Sequence, residues 1–130
     1  MKYTKLQKQL MIVGDSNAPA DKKREAWEAC TVGDDGYAAF TYRLAKSYSK
    51  RDSSLCDDLV QETYLKVGEA AKKYRPVGSA HGWRKVVTQR AMFDIYRTKK
   101  SREEKVRTMG YSAVYDIEKF IGDDPHLPSD

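Results

Sequence analysis

Apolar residues recur every three or four positions along this chain, in segments separated by turn-forming residues. This spacing is typical of amphipathic helices, and no stretch of alternating apolar and polar residues is long enough for a strand. Clusters such as Gly14–Asn17 and Gly33–Gly36 mark the breaks, as do Pro76 and Gly78. We therefore predict an all-α fold. The predicted helices contain, in chain order, Leu6 to Val13, Pro19 to Cys30, Tyr37 to Lys50, Ser54 to Tyr74, and a last segment from Gly82 through Tyr96.

The apolar positions also predict which face of three helices is buried. A Ser54-x-x-Asp57 sequence resembles a capping box and is expected to open the fourth helix. Phe40, Leu44 and Tyr48 share one face of the third helix, and Leu55, Leu59, Thr63, Val67 and Ala70 form an apolar stripe in the fourth. In the fifth helix a broad aromatic-apolar band contains Trp83, Val86, Val87, Arg90, Met92, Phe93 and Tyr96.

Length and composition limit the class of protein. A chain of 130 residues is enough for one modest core. No apolar run approaches the ~18 residues that cross a bilayer, and the N-terminus has no secretory signal, so we expect neither membrane insertion nor secretion. Cys30 and Cys56 form no Cys-x-x-Cys pair and have no His or Cys at metal spacing. We expect both to be buried thiols in a reducing cytoplasm, with no metal or other cofactor.

Charge is distributed unevenly along the chain. The net charge is +5, but residues 72–107 hold twelve bases and only three acids, whereas residues 55–71 and the chain after Arg107 are acidic. A basic block that also contains Trp83, Phe93 and Tyr96 indicates a polyanionic partner, and its aromatic residues favour exposed bases over duplex backbone alone. The alternative is a solvated, lysine-rich helix face.

The residues from Asp57 onward carry a more specific pattern. Residues 57–67, DDLVQETYLKV, resemble the EDLVQETFLRVW motif of bacterial sigma factors, in region 2 of the extracytoplasmic-function type. Residues 73–83, KYRPVGSAHGW, resemble the family's RFRPDGSFRAW, and Asp94 falls where its IDYLRR motif has an acidic residue. Residues 40–45, FTYRLA, fit the first region 2 helix. The resemblance covers roughly residues 37–105 and implies a compact helical bundle of the sigma region 2 type with extra N-terminal helices.

This resemblance implies two binding faces. One face grips the arginine-rich clamp helices of the largest catalytic subunit of bacterial core RNA polymerase. The other holds the promoter −10 element, partly as single-stranded DNA with a base flipped under a short loop, which corresponds here to Pro76–His81. The implied polymerase-binding residues are Asp58, Gln61, Glu62 and Lys66. The implied DNA-binding residues are Ser79, His81, Lys85, Gln89, Arg90, Arg97, Lys99 and Lys100.

The sequence departs from the family pattern in several places. Ala80 replaces the loop Phe and Gly82 precedes Trp83, so a smaller and more mobile loop is expected, while Arg90 stands where the family often has Asn. We interpret Trp83, Phe93 and Tyr96 as packing residues rather than stacking platforms. The residues after Lys105 are too few for region 4, which reads the −35 element, so we expect a stand-alone region 2 of phage or mobile-element type.

The predicted function is that of a sigma-like transcription initiation factor. It binds core RNA polymerase and recognises and melts a −10-like promoter element, in the bacterial cytoplasm or in the host cytoplasm if it is phage-encoded. A second protein supplying region 4 function is one expected partner. The alternative is a region 2 mimic that occupies the polymerase and inhibits or displaces the host sigma factor, but the basic block favours promoter reading. The acidic fourth helix disfavours a DNA-binding module without a polymerase partner.

No enzymatic activity is expected, because His81 and His126 have no evident nucleophile or carboxylate partner at a recognisable spacing. The predicted organisation has three parts: an N-terminal helical extension (1–36), a sigma region 2-like domain (37–107) and an acidic C-terminal tail (108–130), which we interpret as a solvated end. The sequence leaves open whether the N-terminal extension packs as extra helices or docks a separate partner.

Overall fold

The computed structural model describes the backbone of residues 2–123 and the side chains of residues 2–107. Within those residues the chain forms five α-helices and one short 3₁₀ helix, with no β-strand, so the predicted all-α fold is confirmed. None of the described helices combines the length and the apolar composition that a membrane crossing requires. The elements are α1 (Lys5–Gly14), α2 (Ala20–Val32), α3 (Tyr37–Ser49), α4 (Ser53–Ala70), the 3₁₀ helix (Ala71–Lys73) and α5 (Ala80–Asp123).

The chain divides into two compact units, residues 1–92 and residues 93–130. The first unit contains α1 to α4, the 3₁₀ helix and the start of α5. The predicted boundaries at 36/37 and 107/108 stay predictions. Of the predicted acidic tail, the backbone is helical through Asp123, and its side chains and residues 124–130 lie outside the described residues.

Polar side chains cap the N-termini of α1 and α4. Thr4 and Gln7 form a complete capping box at α1, with each side chain accepting from the other's backbone amide. At α4 the predicted capping box is wrong, because the cap is Asp52, whose carboxylate accepts from the Leu55 amide at 3.0 Å. Asp52 is the last residue with extended backbone, so Ser54 already lies in the first helical turn.

The buried face of α3 differs from the predicted one. It consists of Tyr37, Thr41, Ala45 and Ser49, whereas the predicted stripe of Phe40, Leu44 and Tyr48 lies beside it and is only half-buried. Small and hydroxylated residues tolerate this burial because their groups bond within the helix, as the Thr41 hydroxyl does by donating to the Tyr37 carbonyl at 2.9 Å. On α4 the predicted residues Leu59, Thr63 and Val67 are buried as expected.

The buried face of α5 was also predicted only in part. Within the first unit it consists of Ala80, Arg84, Thr88, Ala91 and Met92. The interpretation of Phe93 as a packing residue is wrong, since Phe93 is 49% exposed, and Val86 of the apolar band is exposed as well. The spacing of apolar residues did not predict that Arg84 and Thr88 lie on the inward face of α5.

The N-terminal helices pack into the first unit as extra helices. Helix α1 contacts α2, α4 and the 3₁₀ helix, and α2 contacts α3. Leu6 and Leu10 of α1, Cys30 of α2 and Ala80 of α5 form one buried cluster. The docking of a separate partner to α1 and α2 stays a prediction. Cys30 and Cys56 are buried free thiols as predicted.

Candidate functional site

A short loop, residues 74–79, connects the 3₁₀ helix to α5 and lies where the sequence placed the base-reading loop. The loop has the predicted length of six residues but begins and ends two residues earlier than predicted, because Ala80 and His81 already belong to α5. Gly78 has a positive φ of 77°, which favours glycine. Beside it the Val77 amide donates to the Arg75 carbonyl at 2.7 Å, closing a tight turn that leaves Val77 82% exposed.

Trp83 lies beneath this loop as a packing residue. Its ring meets the Tyr74 ring edge-to-face, with centroids 4.9 Å apart. Both half-buried rings pack against the cluster of Leu6, Leu10, Cys30 and Ala80. The interpretation of Trp83 as a packing residue is thus confirmed, and the loop is supported by aromatic contact instead of a Phe at position 80.

Arg84 is the centre of a buried polar network that the sequence did not reveal. Its side chain donates to the Cys30 carbonyl at 2.7 Å and to the Asp35 carboxylate at 2.6 Å. Its guanidinium carbon also lies 4.1 Å from the centroid of the Tyr37 ring. The Tyr37 hydroxyl in turn is 2.6 Å from the Thr88 hydroxyl, which donates to the Arg84 carbonyl. This network ties α5 to the end of α2 and to the start of α3.

The network shifts the proton affinities of its members. Burial alone would raise the pKa of Asp35, but the hydrogen bond and charge of Arg84, together with the Tyr37 amide, lower that pKa below its ordinary value. Burial raises the pKa of the Tyr37 hydroxyl. It also raises the pKa of the Cys30 thiol to about 11, so this thiol stays protonated and unreactive at neutral pH. Because the Arg84 guanidinium is buried and paired with Asp35, it is not available to bind a polyanion.

Two of the predicted DNA-binding residues have structural contacts at the start of α5. The Ser79 hydroxyl accepts from the Gly82 amide at 3.0 Å, the geometry of a helix cap. The exposed His81 ring has its Nδ1 3.4 Å from the Arg84 guanidinium and 4.0 Å from the Asp35 carboxylate. Their contact with DNA stays a prediction.

Further along α5, three predicted DNA-binding residues share an exposed surface of the first unit. Lys85, Gln89 and Arg90 are all exposed, and Val86 lies between them. The Lys85 ammonium lies 5.4 Å from the centroid of the Phe40 ring, and a groove of about 200 Å³ opens there between α3 and α5. A cation, an aromatic ring and an amide thus lie together on one surface.

The remaining three predicted DNA-binding residues lie in the second unit. Arg97 and Lys100 are exposed, and Lys99 is half-buried. The Arg97 guanidinium lies 5.8 Å from the centroid of the exposed Phe93 ring and 3.6 Å from the Asp94 carboxylate. Phe93 is therefore an accessible aromatic residue next to a cation, a feature that its interpretation as a packing residue had missed.

The predicted polymerase-binding residues lie on α4. Asp58 and Gln61 are exposed, while Glu62 and Lys66 are half-buried. Leu65, which the sequence did not indicate as a binding residue, is 70% exposed. Residues 58, 61, 62 and 65 follow helical i, i+3, i+4, i+7 spacing and so share one face. A large exposed apolar side chain within an acidic and amide-bearing face is typical of a protein-binding surface.

Comparison with protein-family models decides the family. Residues 35–102, just over half of the chain, match the model described as Sigma-70 region 2. The chain belongs to the sigma-70 region 2 family. The resemblance carried by the motifs is confirmed, and the match begins at Asp35, the partner of Arg84. A search of curated proteins and a search of solved structures returned no match.

Membership in the sigma-70 region 2 family sets the general function. Region 2 is a domain of transcription factors and not an enzyme domain. It indicates a sigma-like role in RNA polymerase binding and promoter recognition. Helices α1 and α2 precede the matched residues, although they pack in the same compact unit.

Proposed function

We propose that this protein is a sigma-like initiation factor that binds core RNA polymerase through α4 and recognises a −10-like promoter element through the 74–79 loop and α5. The proposal rests on one observation, that α4 and α5 of this region 2 domain expose side chains of different charge. Helix α4 exposes carboxylate, amide and leucine side chains, whereas α5 exposes cations and an amide.

The α4 face suits the arginine-rich clamp helices of the polymerase. Carboxylates accept paired hydrogen bonds from arginine, and Gln61 both donates and accepts. Leu65 adds the apolar contact that most protein interfaces need at their centre. Charge repulsion makes the same acidic face unsuitable for DNA.

The α5 face suits DNA whose bases are exposed. Lys85 and Arg90 supply sequence-independent attraction to phosphates, and Gln89 can bond to base edges. In the first unit the exposed Val77 offers apolar surface to unstacked bases, and in the second unit Phe93 does so independently. An inhibitor that only occupied the clamp helices would have no use for this surface, which is why we favour promoter recognition.

In vitro transcription tests the proposal. Purified core polymerase is combined with this protein on genomic DNA from its own source, and in a second arm the protein is added to polymerase saturated with the host's main sigma factor. We expect defined new transcript starts with core alone. Loss of host transcripts without new starts would instead identify an inhibitor, and no effect in either arm would contradict both functions.

Truncation of the exposed leucine on α4 tests the polymerase contact. Leu65→Ala is expected to weaken binding to core polymerase about tenfold, and Gln61→Ala with Glu62→Ala is expected to weaken it as well. Because Leu65 is exposed, the free energy of unfolding should change by less than about 0.5 kcal/mol. Binding is measured by fluorescence titration of labelled core polymerase.

The control for this prediction is Val32→Ala, which removes an equally exposed apolar side chain from the end of α2. It should bind core polymerase as the unmodified protein does. Equal weakening by both variants, or none by Leu65→Ala, would remove the α4 face from the proposal.

Removal of two lysines from α5 tests the DNA contact. Lys99→Ala with Lys100→Ala is expected to lower promoter affinity and to flatten its log–log salt dependence by roughly one to two units, because fewer counterions are released. Affinity is measured for the polymerase complex over a series of salt concentrations. Lys8→Ala with Lys22→Ala, which removes two exposed lysines from α1 and α2, should leave the slope unchanged. An unchanged slope in both variants would mean that Lys99 and Lys100 do not contact phosphates.

A further inference from the structure

Helix α1 lies outside the matched family residues, yet it contacts the chain on both sides of the 74–79 loop and the loop itself. We propose that α1 is a scaffold for this loop and that Gln7 is a positioning residue that sets which base the loop selects. The inference rests on the proposed promoter-reading function, because it assigns a determinant of base preference to a segment outside region 2.

The contact begins with a single amide side chain that has two bonds. Gln7 Oε1 accepts from the Thr4 backbone amide at 2.7 Å, which completes the α1 capping box. Its Nε2 donates to the Gly78 carbonyl at 3.2 Å, across 71 residues of sequence. Because the Thr4 amide requires an acceptor and the Gly78 carbonyl requires a donor, the two bonds fix the orientation of the Gln7 amide.

The bonded carbonyl belongs to the residue that shapes the loop. Gly78 has the positive φ, and Val77, the loop's most exposed apolar residue, immediately precedes it. The Gln7 bond therefore holds the loop at the residue next to Val77. A Cβ at Gly78 would meet no atom within 4 Å, so this side of the residue is open, and the Gln7 side chain bonds to its carbonyl.

Helix α1 also holds the two chain segments that flank the loop. Gly14 lies so close to the 3₁₀ helix that a Cβ there would come 2.0 Å from the Ala71 carbonyl oxygen. Leu6 and Leu10 pack with Ala80, the first residue of α5. The loop thus has its entry, its exit and its turn all positioned by one helix.

Two variants separate loop positioning from helix stability. Gln7→Glu keeps an oxygen to accept from the Thr4 amide, and so keeps the capping box, but it has no N–H for the Gly78 carbonyl. Thr4→Ala does the reverse, because it removes the hydroxyl that accepts from the Gln7 amide and leaves the Gln7–Gly78 bond possible. Both are tested as full chains bound to core polymerase.

The readout is base preference. Each complex selects from a library of promoter DNA carrying a randomised −10 region in a pre-melted bubble, and the bound and unbound pools are sequenced. We expect Gln7→Glu to reduce the preference for the selected base over the other three about fivefold, the value of one hydrogen bond, while total binding and its salt dependence stay the same. Thr4→Ala should keep the preference of the unmodified protein.

The outcomes distinguish this inference from the function on which it rests. Unchanged preference in Gln7→Glu, or equal loss in Thr4→Ala, would overturn the positioning role while leaving promoter recognition intact. Absence of any base preference in the unmodified protein would overturn both. Restored preference in Gln7→Lys, whose ammonium can donate to Gly78, would support the donor role further.

Discussion

Replacement of Arg84 by alanine is expected to lower the free energy of unfolding by about 3–5 kcal/mol, the largest effect of any single substitution proposed for this protein. The side chain is buried, and the residue is 3% exposed. Alanine would remove the charge-assisted bond to Asp35, leave the Cys30 carbonyl without its donor and open a cavity beside the Tyr37 ring. Denaturant unfolding followed by tryptophan fluorescence measures the change.

The matched control lies on the same helix. Arg90→Ala removes an exposed arginine and should change the free energy of unfolding by less than about 0.5 kcal/mol. Conversely, Arg90→Ala is expected to weaken DNA binding, whereas Arg84→Ala should affect it only through loss of folded protein. Similar stability for the two variants would contradict the role assigned to the network.

The same network predicts a change in acid stability. The folded pKa of Asp35 lies below its ordinary value of 3.8. Its contribution is therefore complete above the unfolded pKa and is lost as the pH falls through the lower folded pKa. Arg84→Ala removes the bond and the charge that lower this pKa, so its free energy of unfolding should depend less steeply on pH below about 4. Parallel pH profiles for the variant and the unmodified protein would be evidence against the ion pair.

Replacement of Gly14 by alanine is expected to destabilise the fold by about 1–3 kcal/mol, even though alanine is the better helix former. The added Cβ would lie 2.0 Å from the Ala71 carbonyl oxygen and 2.7 Å from its carbon, so backbone must move. Helix α1 would shift away from the 3₁₀ helix. The measurement is again denaturant unfolding, and loss of the α1 position should also alter base selection by the 74–79 loop.

Gly82→Ala is the matched control, and it is expected to change the free energy of unfolding in the opposite direction. Gly82 lies in the first turn of α5, where a Cβ would meet the Ser79 side chain at an ordinary 3.5 Å. Alanine should therefore stabilise the protein, by up to about 1 kcal/mol, through its higher helix propensity. Stabilisation by both substitutions would show that α1 does not pack tightly against the 3₁₀ helix.

The family and the helices were predictable because they depend on local and contiguous patterns. The motifs of residues 57–67 and 73–83 identified region 2 without a structure, and the helical spacing placed the starts of five helices within a few residues of the observed ones. The end of the last helix was not predicted, because α5 continues to Asp123, far beyond Tyr96. The buried faces of α3 and α5 were less predictable, because hydrophobicity does not identify a buried Thr41, Thr88 or Arg84. Such residues are buried only where a partner group satisfies their polar atoms.

The residues of the candidate binding surfaces were likewise predicted only in part. Residue type indicated that α4 is acidic and α5 basic, and Lys85, Gln89 and Arg90 are indeed exposed. Sequence alone did not distinguish Arg84 from these bases, and Leu65 was not among the predicted binding residues although it is exposed. Burial depends on the neighbouring helices, which the local sequence does not describe.

The sequence by itself determined the all-α class, the sigma region 2 family and the separation of acidic from basic helices, because each follows from residues close together in the chain. Only the tertiary structure decided that Asp35 neutralises Arg84, that Trp83 lies under the loop against Tyr74, and that Gln7 reaches Gly78. Those pairs are separated by 49, 9 and 71 residues. The Arg84–Asp35 pair forms only once α5 packs against the α2–α3 connection, and the Gln7–Gly78 pair only once α1 packs beside the 74–79 loop. Contacts at such separation depend on helix packing rather than on local pattern.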